Sequence, residues 1–357
     1  MKVYYSEMHR HHNPPFEVFD GGERVPYLEN PERMDKILSA LSKTAWAEIT
    51  EPDDFGLDPI LAVHNAGYIS FLASAWNEWL AAAKANGSES DKPTLLPATF
   101  ALRRNPPRPT SLLGQAGYYM MDLSAGIVDG TYNAALSSAN CALSAAKWIA
   151  DNSLNLSSSS NLHLSAFALC RPPGHHAGID YAAGYCYINN AAVAANFLSS
   201  GGKIALLDID YHAGNGTQDI FYDRSDVLTI SLHADPSYEY PYYAGYSEEI
   251  GSGKGLNFHR NFPLPKGTGD TKYLATLDEA LKIILNFEPK YLVVSAGADI
   301  YEGDPLGKFK VTRIGFQKIG DQIAKLELPT LLIMEGGYNN LALGENIAEL
   351  LKPFTKS

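Results

Sequence analysis

Lys203-Ile204-Ala205-Leu206-Leu207-Asp208-Ile209-Asp210-Tyr211-His212-Ala213-Gly214-Asn215-Gly216 is the stretch on which the fold turns. Its first half is a short apolar run of aliphatic residues, which predicts a buried strand over Lys203–Ile209. Its second half is polar and glycine-containing, which predicts a turn at the strand's C-terminal end.

Similar apolar runs occur at Leu164–Cys170, Val227–Leu232, Tyr291–Ser295 and Thr330–Met334. Helical spacing is read at Pro59–Asn86, Ala134–Asp151, Asn190–Leu198, Tyr273–Phe287 and Arg313–Leu326. Short strands alternating with helices are the pattern of a parallel α/β sheet, and no internal repeat breaks it. Two segments are too long for simple connections, Ser88–Pro109, rich in Pro, Ser and Arg, and Ala234–Lys266, rich in Tyr, Gly and Pro. The Ser-rich run Asn152–Ser160 reads as a surface loop.

Open α/β sheets place ligands beyond the C-terminal ends of their strands, and the polar clusters fall there. In extended chain Asp210 and His212 point to the same side, so a carboxylate and an imidazole can share one metal ion. Asp299, after Tyr291–Ser295, can supply a third ligand. Such a donor set suits Zn²⁺ first and also admits Fe²⁺, Co²⁺ or Mn²⁺; three protein ligands leave a position for water and substrate. After Leu164–Cys170 comes Arg171-Pro172-Pro173-Gly174-His175-His176-Ala177, where adjacent imidazoles can face one pocket and relay a proton. Asp208 and Asn215 stand where acceptors for those rings are needed. Tyr338, on the turn Glu335-Gly336-Gly337-Tyr338, can aim its hydroxyl at a developing oxyanion. Taken singly, each Asp or His is as well explained as a cap, and Tyr338 as a core aromatic; together they are not. His9, His11 and His12 lack such a setting and read as surface histidines or a weak metal site.

Composition narrows the function classes. With 28 Lys+Arg against 40 Asp+Glu, the net charge of −12 argues against nucleic acid and anionic membranes as partners and favours a cationic ligand. No apolar run approaches the roughly 18 residues of a membrane helix, and the N-terminus turns charged at once, so a cytoplasmic protein is expected. Cys141, Cys170 and Cys186 have no CxxC spacing and read as core thiols.

RPPGHHA, GYCYINNAA (Gly184–Ala192), DIDYHAGNGTQDIF (Asp208–Phe221), SAGAD with GDP, and EGGY together resemble the zinc deacetylases that include the histone deacetylases. Asn30-Pro31-Glu32-Arg33 and Val63-His64 extend the likeness almost end to end. The resemblance implies one domain over residues 1–357 around an eight-stranded parallel sheet flanked by helices. It implies Zn²⁺ on Asp210, His212 and Asp299, His176 as general base and acid, His175 as its electrostatic partner, and Tyr338 as carbonyl polariser. It implies a structural K⁺ near Asp208, Asp210, His212, Ser231 and Leu232. Tyr185, with Gly184 before it, and Tyr240 match the aromatic walls around the acyl-bearing chain.

Tyr4-Tyr5-Ser6-Glu7, the segment Arg103–Tyr119 and His233-Ala234-Asp235-Pro236 look most like the acetylpolyamine amidohydrolases within that superfamily. That likeness implies a homodimer, with a loop at about residues 88–115 at the interface and the active-site entrance, and a small cationic N-acetylated amine as substrate. Glutamates expected near Leu113 and Ser124 are missing, and Asp122 is the carboxylate placed to compensate. Deacetylation of acetyl-lysine in peptides is the near rival. An arginase-like ureohydrolase with two Mn²⁺ ions fits less well, since the DxDxH segment, Tyr338 and the histidine pair argue against it. A silent metal- or ligand-binding relative would have lost a ligand or the tyrosine, and none is lost.

Overall fold

Apolar runs long enough for one strand and buried on both faces can only lie inside a covered sheet, and the computed structural model places them there. It describes residues 1–19, 22–85, 94–101, 106–153 and 164–355. The strands are β1 (Lys2–Tyr4), β2 (Glu17–Val18), β3 (Arg24–Val25), β4 (Glu48–Thr50), β5 (Ser165–Ala168), β6 (Ile204–Asp208), β7 (Val227–Ala234), β8 (His259–Leu264), β9 (Tyr291–Ala296) and β10 (Thr330–Met334). Eight of them form one sheet in the order β4-β1-β5-β10-β9-β6-β7-β8. Every adjacent pair in it is parallel. β2 and β3 form a small separate antiparallel pair.

The helices are α1 (Glu32–Leu41), α2 (Asp58–Leu61), α3 (Ala66–Ala85), α4 (Leu112–Tyr119), α5 (Thr131–Ser153), α6 (Asn190–Ser199), α7 (Asn215–Phe221), α8 (Asp270–Phe287), α9 (Arg313–Ala324) and α10 (Leu343–Leu351). Along β10, Leu331 and Ile333 face the alanine-rich surfaces of α5 and α6, while Leu332 and Met334 face α1, α8, α9 and α10. The same alternation runs through β6 and β9. Small side chains on α5 and α6 let those helices lie close to the sheet, and a further layer built on α3 and α4 packs outside them.

The structure departs from the sequence reading in three places. Pro59–Asn86 is two helices, α2 and α3, with Asn86 outside the described residues. The break lies at His64 and Asn65, where the Asn65 side chain accepts the Gly67 amide at 2.8 Å and starts a new helix. The supposed loop Ala234–Lys266 contains β8 at the sheet edge, where Pro263 is tolerated because the outer side needs no N–H. His9 and His12 are core residues, with only His11 exposed. His9 bonds the Tyr5 hydroxyl at 2.9 Å and His12 the Thr131 hydroxyl at 3.0 Å. All three cysteines are buried free thiols, as read, and no described helix is long and apolar enough to cross a membrane. Most of Asn152–Ser160 lies outside the described residues.

Candidate active site

The four central strands β5, β10, β9 and β6 end side by side, so the turns that follow them are forced into one place. Those turns carry Arg171–Ala177, Glu335–Tyr338, Gly297–Asp304 and Ile209–Gly214. They form the floor of a cavity of about 800 Å³ whose lining includes His176, His212, Tyr338, Tyr185, Tyr240 and Asp122.

Asp210, His212 and Asp299 converge, each offering a ligand atom within 4.8 Å of the others. Asp210 and Asp299 are fully buried. His212 Nδ1 stands 3.3 Å from Asp210 Oδ1 and 3.1 Å from Asp299 Oδ2. Amides fix both carboxylates: Gly336 N–H donates to Asp210 Oδ2 at 2.8 Å and Tyr211 N–H to Asp299 Oδ1 at 3.0 Å. The approach needs glycine, because a Cβ on Gly297 would lie 2.1 Å from Asp210 Oδ2 and one on Gly336 2.5 Å from Asp299 Oδ2.

Burial and the Asp210 charge push Asp299 up to about 7. Burial alone would lower His212, but its bonds and charge interactions with Asp210 and Asp299 outweigh this and raise it to about 10. Two dehydrated carboxylates thus demand a positive charge at this point, and the donor set suits a borderline divalent cation there. A second group, His175, Cys186 and Glu335, also lies close together. Its polar atoms are already used: Glu335 accepts from Gly174 N–H at 2.7 Å and from the Ser295 hydroxyl at 3.0 Å.

The paired histidines sit in different surroundings. His175 Nδ1 meets Asp208 Oδ2 at 2.9 Å; burial opposes its protonation, but Asp210 and Asp208 raise it well above the usual imidazole range. His176 Nδ1 donates to Asn215 Oδ1 at 2.7 Å, which leaves Nε2 with its lone pair. Burial, then the neighbouring His175 and His212, hold His176 well below its usual range. The two rings are 3.9 Å apart between centroids, so protonation of one opposes protonation of the other.

Tyr338 is held by residues that the sequence reading did not assign to the site. Asp304 Oδ2 accepts the Tyr338 amide at 2.7 Å. Arg33 donates to the Gly337 carbonyl and to the Glu335 carbonyl, both at 2.6 Å, and its guanidinium lies 4.9 Å from the Tyr338 ring centre. Glu29 Oε1 receives Arg33 Nη1 at 2.7 Å and Arg171 Nε at 2.8 Å, so one buried carboxylate ties two strand-end turns together. Burial keeps the Tyr338 hydroxyl protonated, raising it far above its ordinary value. The sequence signals for this scaffold were the motif Asn30–Arg33, Arg171 at the start of the histidine-pair motif, and Asp304 in the Gly303-Asp304-Pro305 motif, none of which was read as supporting Tyr338.

The walls are aromatic. Tyr240 stands edge-on to His176 at 4.9 Å between centroids, and Tyr185 lies 5.7 Å from Tyr338. Gly184 has φ +50°, and a Cβ there would meet the His176 ring at 2.4 Å, so glycine is needed for that contact. Tyr185 bonds the buried Glu17 of β2 through its hydroxyl. Asp122 accepts from Gly184 N–H at 2.8 Å, the Tyr240 hydroxyl at 2.6 Å and the Ser124 amide at 2.9 Å, so it shapes the wall.

Asp208 is the register partner of Ser231 on the adjacent strands. His233 Nε2 donates to the Gly245 carbonyl at 2.8 Å, so its Nδ1 accepts the Ser231 hydroxyl proton at 2.7 Å. The lone pairs of the Ser231 oxygen remain for another donor or a cation. Of the loop read at about residues 88–115, residues 88–93 and 102–105 lie outside the described residues.

The sequence profile of the histone deacetylase domain matches residues 27–353. Acetylpolyamine amidohydrolase 1 of Pseudomonas aeruginosa is 44% identical over 99% of both chains. The acetylpolyamine amidohydrolase of Mycoplana ramosa is 43% identical, again over 99% of both. Among solved structures, acetylpolyamine aminohydrolase from Burkholderia pseudomallei superposes with a TM-score of 0.91 at 37% identity, covering 99% of this chain and 98% of that one. The HDA15 HD domain gives 0.78 at 27% identity, covering 100% and 91%.

Proposed function

Because this chain belongs to the histone deacetylase family, we propose that it hydrolyses N-acetyl amides of small amines, polyamines and diamines foremost, releasing acetate and the free amine. The observation that carries the reading is the pairing, in one cavity, of an unprotonated His176 Nε2 with the Asp210–His212–Asp299 cluster and the Tyr338 hydroxyl. The amine preference rests on relatives named for acetylpolyamines that match at 37 to 44% identity over nearly the whole chain, against 27% for the HDA15 domain.

In this reading Asp210, His212 and Asp299 hold Zn²⁺. When bound, the ion supplies a Lewis acid for the amide carbonyl and makes water a better nucleophile. His176 Nε2 takes a proton from the attacking water and returns it to the leaving nitrogen as the C–N bond breaks. Asn215 fixes the tautomer that makes this possible, and the positive His175 beside it keeps His176 weakly basic. Tyr338 donates to the carbonyl oxygen as negative charge develops there, and Arg33, Glu29 and Asp304 hold its turn still. Tyr185 and Tyr240 enclose the methylene chain, with Gly184 setting the width of the slot. The negative Asp122 in the wall attracts the amine's far ammonium group. Asp208, Asp210, His212, Ser231 and Leu232 would hold a structural K⁺, for which the free lone pairs of the Ser231 oxygen beside Asp208 are suited. The protein acts as a homodimer in this reading, and Phe100, in the described part of the loop read at about residues 88–115, lies at the entrance.

The test is steady-state turnover of N-acetylputrescine, N8-acetylspermidine and an acetyl-lysine peptide by zinc-loaded protein, with His176→Ala as control. Preference for the small amines, lost in the control by about 10²–10⁴-fold, is the expected result. Preference for the peptide would shift the reading to a lysine deacetylase, and turnover of none would overturn both.

A further inference from the structure

Resting on the deacetylase reading above, we propose that this cavity also takes N-acetylated amines whose far end carries a carboxylate, with Lys266 and Lys308 at its rim as the groups that recognise it. Both lysines line the cavity. They are exposed, and among the described residues neither is within ion-pairing distance of a carboxylate.

The backbone brings them together. Gly267 N–H donates to the Lys308 carbonyl at 3.0 Å, and Lys310 N–H donates to the Thr268 carbonyl at 2.7 Å, which ties the two rim loops side by side. Within each loop other groups do the holding: the Thr268 hydroxyl bonds the Pro265 carbonyl at 2.7 Å, and Asp304 accepts the Leu306 amide at 2.9 Å. The lysine ammonium groups are therefore not needed for the fold. Leu306, two residues before Lys308, packs against the cluster of Tyr27, Tyr185 and Tyr338, so this rim stands directly above the reacting end.

The other charged groups around the cavity are differently placed. Asp122 is engaged by three amides and the Tyr240 hydroxyl. Glu239 accepts the Tyr211 hydroxyl at 2.9 Å and the Tyr240 amide at 3.3 Å. The carboxylates are thus built into one wall, while the two lysines reach freely from the rim. A paired positive rim on a chain of net charge −12 is a local reversal of sign. It does not suit a mouth that takes polycations alone, and it suits an acetylated amino carboxylate.

The test compares 6-acetamidohexanoate with N-acetylcadaverine, which share one methylene spacer and end in opposite charges. In the wild-type protein we expect both to be hydrolysed, with kcat/KM values within about tenfold of each other, since exposed charge contacts are individually weak. The double variant Lys266→Glu, Lys308→Glu should lower kcat/KM for the carboxylate substrate about tenfold, mainly through KM, and raise it a few-fold for N-acetylcadaverine. Raising the salt from 0.05 to 0.5 M should shrink both changes, as the screening length falls. Hydrolysis of N-acetylcadaverine without hydrolysis of 6-acetamidohexanoate overturns the inference and leaves the deacetylase reading standing. Equal effects of the double variant on both substrates overturn it as well. Failure of both substrates overturns the deacetylase reading itself.

Discussion

The floor of the cavity and its rim are built by opposite means. On the floor, turns of a few residues leave parallel strands that are hydrogen-bonded to each other, and the carboxylates and imidazoles are buried and partnered. On the rim, Phe19, Phe100, Tyr238, Tyr242, Lys266 and Lys308 come from loops distant in sequence and are largely exposed. The floor fixes what reaction is possible, because a strand end leaves a side chain little freedom. The rim decides which molecules arrive, and each of its groups contributes little.

That contrast can be broken most sharply at the reacting groups. Tyr338→Phe removes only a hydroxyl, and it should lower kcat by about 10²–10³ with little change in KM, checked by steady-state kinetics. A loss confined to KM would place Tyr338 among the walls. Next in size is the scaffold beneath the floor. Glu29→Gln leaves Arg33 and Arg171 buried beside each other without their shared carboxylate, and should cost about 3–5 kcal/mol in denaturant unfolding. A cost below about 1 kcal/mol would mean that those guanidinium groups need only the carbonyls they also bond.

A smaller effect follows from His64, buried beside Tyr68 at the start of α3. Its Nδ1–H donates to the Gly178 carbonyl at 2.8 Å while its Nε2 accepts the Asn189 amide at 2.9 Å, so only the neutral ring makes both bonds. Burial lowers it from 6.5 to about 4. Unfolding then takes up a proton at intermediate pH. The stabilisation is complete above pH 6.5 and is lost as pH falls from 6.5 to 4, by about 3 kcal/mol in all. Unfolding midpoints at pH 7 and pH 4.5 should fall less in His64→Gln, after its initial loss, than in the wild type. Equal slopes would assign the acid sensitivity to other buried histidines. Smallest of all, Phe19→Ala on the rim should change KM by about threefold or less and leave stability within about 0.5 kcal/mol, measured by kinetics and thermal unfolding.

The same division explains how much could be read from sequence. Asp208, Asp210, His212, Asp299 and Tyr338 were legible because each follows an apolar run that can only be a buried strand, and strand ends have one place to go. His175 and His176 were legible from adjacency. Glu29 and Arg33 were not assigned to the site, because nothing local to α1 says that it lies under the Glu335–Tyr338 turn. The strands β1 and β4 are three residues each, too short for periodicity, and the edge strand β8 was hidden by Pro263 and its tyrosine-rich neighbours. His9 and His12 looked like surface groups because histidine is polar, whereas the fold gives them buried hydroxyl partners. The pairing of Lys266 with Lys308 depends on two backbone bonds between distant loops, which no spacing in the chain encodes.

If the converging turns make a metal-dependent hydrolytic centre on Asp210, His212 and Asp299, bound zinc must depend on those side chains, and metal content shows whether it does. Purified wild-type protein and Asp299→Ala would be dialysed against a weak chelator and their zinc measured by atomic emission, with circular dichroism to confirm folding. Wild-type protein should hold about one zinc per chain and the folded variant almost none, alongside loss of deacetylation. Equal zinc in both proteins, or none in an active wild type, would contradict it.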